Sequence, residues 1–114
     1  MTERDAARRT AGAVTDAVTE AVRDAVLRTP GVAFLKPGLA ELLRPSPLLP
    51  TGRTAGVRVR RDKNTGNWQA EVQVVVARGH RALDVTREIR AAVAAAAPRE
   101  AAGIAVTVTV TGLV

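Results

Sequence analysis

The chain has no cysteine and no tyrosine, one histidine, one serine and two aromatic residues, Phe34 and Trp68. The first absence excludes disulfides, thiolate metal sites and a cysteine nucleophile. The one histidine, His80, stands between Gly79 and Arg81. It has no second histidine or carboxylate at a spacing that builds a metal site or a proton relay, so it reads as a surface residue. The one serine, Ser46, lies between two prolines, without the strand, turn and helix that expose a nucleophilic serine. The glycine-bearing stretch Gly52-Arg53-Thr54-Ala55-Gly56 leads into a strand, so it lacks the helix-terminus dipole of a phosphate cradle. Carboxylates are scattered. The sequence therefore points away from an enzyme, and no cofactor and no metal are expected. No stretch approaches the ~20 apolar residues of a membrane span. Met1 to Arg9 is polar, with nothing of signal-peptide type behind it, and the chain reads as cytoplasmic.

What is present is a body of small aliphatic residues. With aromatics nearly absent, a core must be built from Val, Ala, Leu and Ile, which suits a thin sheet with helices on one side. Such a core is marginal, and oligomerisation would help it. The formal charge of +6 is carried almost wholly by arginine. A basic domain is a candidate for nucleic acid or an anionic membrane. Here the arginines are spread along the chain among acidic residues, and a solvated basic surface is the preferred reading.

Residues 1–10 read as a flexible N-terminus, followed by one domain over 11–114. From about Ala11 to Arg28, Val14, Val18, Ala21, Val22, Ala25 and Val26 recur at helical spacing, and Thr29-Pro30-Gly31 ends that helix. Pro30 to Ala55 holds five of the six prolines. Its first half, with Val32, Phe34, Leu35, Leu39, Leu42 and Leu43, is expected to dock on the body, and Arg44 to Gly52 to extend and move. It serves either as cover for a sheet edge or as a partner-binding segment.

Gly56 to Arg61 and Trp68 to Val74 each alternate apolar and polar residues, which predicts half-buried strands. Asp62 to Asn67 supplies the turn between them. A four-residue loop there sets Arg61 opposite Trp68, Arg60 opposite Gln69, Val59 opposite Ala70, Arg58 opposite Glu71 and Val57 opposite Val72. The Arg58–Glu71 cross-strand pair is worth a few tenths to ~1 kcal/mol. Trp68 falls on the buried face, as a core residue with Arg61 over its ring edge. After Arg78 to Ala82, Asp84 is placed to cap a helix carrying Val85, Ile89, Ala92, Val93 and Ala96, and Pro98 ends it. A right-handed crossover then lays Ile104 to Thr111 parallel to the second hairpin strand.

The expected fold is α+β: a two-layer sandwich with two main helices on one face of a small three-stranded mixed sheet, in the order α-β-β-α-β. The other face presents Arg58, Arg60, Gln69, Glu71, Gln73, Val75, Thr107, Thr109 and Thr111 to solvent or to a partner. Arg60, Arg78, Arg81, Thr107, Thr109 and Thr111 form the candidate contact surface, chosen for expected exposure.

Several stretches, taken in order, resemble a known family: the helix exit Thr29-Pro30-Gly31-Val32, the strands Gly56-Val57-Arg58-Val59 and Val72-Gln73-Val74-Val75-Val76, Gly79 ahead of Asp84-Val85, and the closing Val106-Thr107-Val108-Thr109-Val110-Thr111-Gly112. That family is the bacterial alkaline shock protein group, also called envelope stress response proteins, and the resemblance runs from about Val14 to Val114. It implies a small cytoplasmic α/β domain without known catalysis, tied to cell-envelope homeostasis. Such proteins self-associate, and some are held at the inner face of the membrane by a small integral membrane partner. The expected function is thus a non-catalytic interaction or scaffold domain. The alternative is a small basic RNA- or DNA-binding module of KH-like architecture. Against it, the chain has neither a Gly-x-x-Gly loop between consecutive helices nor exposed strand aromatics.

Overall fold

The computed structural model describes residues 3–36, 53–54 and 56–114. The elements run α1 (Glu3–Arg28), β1 (Val32–Leu35), β2 (Arg53–Thr54), β3 (Val57–Arg61), β4 (Trp68–Val76), α2 (Ala82–Ala96), a single 3-10 turn (Arg99–Ala101) and β5 (Ala105–Leu113). The expected α+β two-layer arrangement is present. Both helices contact the sheet and each other, α1 through β1 and β3 and α2 through β5. The sheet is larger than expected, because β1 and β2 join the three predicted strands. The expected helical turn at Leu39–Leu43 and the Pro-rich Arg44–Gly52 stretch lie outside the described residues.

β4 is the spine of the sheet. Its hairpin with β3 has the register read from the sequence, from Val57 opposite Val72 to Arg61 opposite Trp68. The loop closes through Asp62 N–H to the Asn67 carbonyl and Gly66 N–H to the Asp62 carbonyl, both 2.8 Å. The Asp62 carboxylate also accepts the Asn64 N–H at 2.7 Å, an Asx turn that fixes the chain reversal locally. Gly66 takes φ +75°, which a residue with a side chain resists. The other edge of β4 carries β5 in parallel, with Ala70 beside Val106, Val72 beside Val108 and Val74 beside Val110, the pairing that a strand–helix–strand crossover provides.

β1 was not foreseen as a strand. It pairs antiparallel with Val74–Val76, end to end with β3 on the same edge of β4. Gln73 is the seam, donating its N–H to the Gly56 carbonyl and accepting from Lys36 N–H. Four residues are too few to show an alternation, which is why Val32-Ala33-Phe34-Leu35 reads as apolar but not as a strand. Of the residues expected to dock there, Val32 and Leu35 pack on the core and Phe34 stays largely exposed.

Alternation sorts β4. Trp68, Ala70, Val72, Val74 and Val76 are buried under the helices, where they meet Val18, Val22, Ala25 and Val26 of α1 and Val85, Ile89 and Val93 of α2. The core is aliphatic apart from Trp68, which is 7 % exposed and so takes its expected core position. Thr19 and Thr29 are buried among these residues. Each donates its hydroxyl to the carbonyl four residues back, Thr15 at 2.8 Å and Ala25 at 2.9 Å, so neither carries an unpaired group into the core.

Two helix starts differ from the sequence reading. α1 begins at Glu3, ahead of the amphipathic pattern that starts near Ala11. α2 begins at Ala82 with Arg81 in the capping position and no side-chain cap, and Asp84 sits in the first turn instead of capping it. The reason is packing. Val85 donates its N–H to the Arg81 carbonyl while its side chain lies against Gly31, where a Cβ would come within 2.6 Å of Val85 Cγ2. That contact sets the first turn, and Asp84 contributes through the helix dipole.

Candidate interaction surfaces

The sheet face turned away from the helices presents Arg60, Gln69, Glu71, Thr107 and Thr109, all exposed, with Arg58, Gln73 and Thr111 half-buried. The alternation places them there: Glu71 stands beside Thr107 and Gln73 beside Thr109 across the parallel pair, and Arg58 faces Glu71 across the hairpin. In this row the Arg60 guanidinium bonds Gln69 Oε1, from Nε at 3.1 Å and from a terminal nitrogen at 3.0 Å. Val75 was expected on this face and is only 3 % exposed. It lies between its neighbours in register, Phe34 on β1 and Gly112 on β5, so the added strand and the end of β5 close the face there.

Of the six candidate contact residues, Arg60, Thr107 and Thr109 therefore share this open face. Thr111 lies at a register shift in β5, where Val74 pairs with Val110 but Val75 pairs with Gly112. Its hydroxyl is within reach of the Val74 carbonyl at 3.3 Å and the Lys36 carbonyl at 3.4 Å, so it binds the fold's own backbone. Arg78 and Arg81 are exposed but lie in the loop between β4 and α2, beyond the last residue of β4. Arg60 pairs near the first residue of that strand. At ~3.3 Å per residue the two groups stand about 20 Å or more apart, and they form two surfaces.

A third feature is the outer edge of β5. Among the described residues β5 pairs only with β4, so a nine-residue strand keeps one side unpaired. Its sequence, Ala105-Val106-Thr107-Val108-Thr109-Val110-Thr111-Gly112-Leu113, has no charge and no proline. Natural edge strands are usually protected by such residues. The alternating threonines were visible in the sequence. That they lie on an edge required the strand order.

A groove of about 990 Å³ runs between α1 and the hairpin and is lined by Thr10, Val14, Thr15, Arg61, Lys63, Trp68 and Glu100. Arg61 shares this groove with Trp68, and its Nε bonds the Gly66 carbonyl of the hairpin loop at 3.4 Å. The lining offers no paired acid and base and no nucleophile with a base beside it. Among the described residues no three His, Asp or Glu side chains gather as metal ligands, and no helix is long and apolar enough to cross a membrane. No protein-family model, curated protein or solved structure matches the chain.

Proposed function

We propose that the chain is a non-catalytic interaction domain that assembles copies of itself by strand addition at the outer edge of β5. It would act as a scaffold of the envelope stress response kind, on the cytoplasmic side and with a small integral membrane protein as a further partner. The observation that carries the reading is the uncharged, proline-free β5 edge. Its N–H and C=O groups, unpaired among the described residues, are a template for a second strand, and Thr107 and Thr109, among its exposed side chains, are β-formers that tolerate either water or a neighbour.

A thin aliphatic core gives such pairing a second purpose, since each added strand buries surface that a small domain cannot bury alone. The basic open face is the basis of the competing nucleic-acid reading. Arg60 there is engaged by Gln69. Phe34 on β1, beside Val75, corrects the expectation of no exposed strand aromatic, but it is a single ring and not the set of stacking platforms that a base-binding sheet carries.

The test is light scattering on the purified chain across a range of concentrations, beside the double variant Thr107→Lys/Thr109→Lys. The native chain is expected to self-associate. The lysines place like charges across the paired edge at a cost of several kcal/mol, so association should weaken about 100-fold or more. The variant monomer should lose no more than about 1–2 kcal/mol of stability, since both positions are exposed strand sites. A native chain that stays monomeric throughout, or a variant that assembles as well as the native chain, overturns the reading.

A further inference from the structure

One end of the sheet gathers the ends of several elements. β4 and β5 are parallel, so both stop there, with Val76 beside Leu113 and the Val114 N–H bonded to the Val76 carbonyl at 3.0 Å. The Ala77–Arg81 loop leaves β4 at this end and α2 starts from it. The turn from α1 to β1 is tied in through Ala77 N–H to the Gly31 carbonyl at 2.8 Å.

The most exposed large apolar side chains among the described residues all fall at this end. Leu113 is 72 % exposed, Leu83 in the first turn of α2 is 59 % and Val114 is 55 %. None belongs to the core cluster. Arginines lie on the same elements: Arg78 and Arg81 are exposed in the loop, and Arg87 is exposed one helical turn beyond Leu83 on the same side of α2. From Ala77 to Glu88 the segment carries three arginines and two carboxylates, Asp84 and Glu88, and both arginines of the loop, Arg78 and Arg81, precede the acidic residues.

Leucines at a helix start and a strand end, with arginines in the adjoining loop and first helical turns, make a poor flat protein interface. They are what a bilayer surface accepts: apolar side chains enter the boundary between headgroups and acyl chains, and guanidinium groups pair with headgroup phosphates. Charge complementarity selects an anionic surface. We propose that this end of the domain docks directly on a bilayer containing anionic phospholipids, with Leu83 and Leu113 entering the headgroup layer and Arg78 and Arg81 pairing with phosphates. The contact is with lipid itself and needs no membrane protein. It also does not depend on strand pairing at β5.

The experiment is co-sedimentation of the full chain with phosphatidylcholine vesicles, with and without phosphatidylserine, at low and high salt. Binding is expected only with phosphatidylserine, and it should weaken as salt rises. Arg78→Glu/Arg81→Glu, both in an exposed loop, should lower vesicle affinity at least about tenfold. Leu83→Ser/Leu113→Ser should lower it by a similar factor while its circular dichroism melt stays close to that of the native chain. The monomeric Thr107→Lys/Thr109→Lys variant should bind vesicles, which separates this proposal from self-association. Absence of binding to phosphatidylserine vesicles overturns the proposal, as does binding that survives the Arg78→Glu/Arg81→Glu change. Binding that the serine variant retains in full and that single-stranded RNA competes away also overturns it, and would reassign the arginines to nucleic acid.

Discussion

The two edges of β4 are built in opposite ways. On one side β3 is joined to it by a four-residue turn, and β3 carries arginines at positions 58, 60 and 61. On the other side β5 arrives only after the whole of α2 has crossed over, and it brings no charge at all. The hairpin is fixed by local chemistry and carries charge. The crossover strand is fixed by packing and, among the described residues, has no partner on its outer side. Among the described residues β5 is the longest strand with an unpaired side, nine residues against the four of β1, the other uncharged edge strand, and that length is the physical basis of the assembly proposed for β5.

The largest expected effect breaks the crossover side. Ile89 is fully buried at the centre of α2, and Ile89→Ala should cost about 2–5 kcal/mol from lost transfer energy and the cavity left behind. For a domain of this size that lowers the melting temperature by roughly 10 °C or more, readable by circular dichroism. A variant that melts with the native chain would mean that α2 is not what holds β5 in place.

Next comes Gly31, where the two sides meet. It has φ +89°, and an added Cβ would stand 2.6 Å from Val85 Cγ2 and 2.8 Å from His80 Nδ1. Gly31→Ala should destabilise the fold by about 2–4 kcal/mol, combining left-handed strain with overpacking. Urea unfolding measures it, and a loss below ~1 kcal/mol would show that the α1–β1 turn relaxes freely. The smallest effect sharpens the contrast from the hairpin side. Arg60→Ala removes an exposed side-chain bond to Gln69 and should change stability by only ~0.5 kcal/mol or less. It should leave the association state untouched, and loss of assembly in this variant would move the interface to the arginine side.

The readable parts of the fold were those with short-range causes. The hairpin register followed from Asp62 to Asn67 and a period of two. The buried stripes Val18-Val22-Val26 and Val85-Ile89-Val93, with Val14 half-buried at the end of the first, followed from a period of 3.6. The parallel placement of β5 followed from the strand–helix–strand order, whose long connection can carry the chain back to the start of the sheet. β1 was missed because four apolar residues carry no period, and its partner, Val74–Val76, lies some forty residues along the chain. The cap at Asp84 was misplaced because composition favours aspartate there, whereas the contact between Val85 and Gly31 decided where the helix starts. Among the candidate contact residues, the exposure of Arg60, Thr107 and Thr109 was legible from alternation. The internal bonds of Thr111 were not, because they depend on a register shift and on where Lys36 passes.

The sequence by itself determined the element types, the hairpin register and which face of each strand is apolar, because these depend on neighbours within a few residues. Only the tertiary structure decided that Val75 is covered, that β5 is an unguarded edge, and that Leu83, Leu113, Arg78 and Arg81 gather at one end. Those facts depend on which distant segments share an edge or a corner, and a chain's local pattern does not contain that information until packing has chosen among the arrangements it allows.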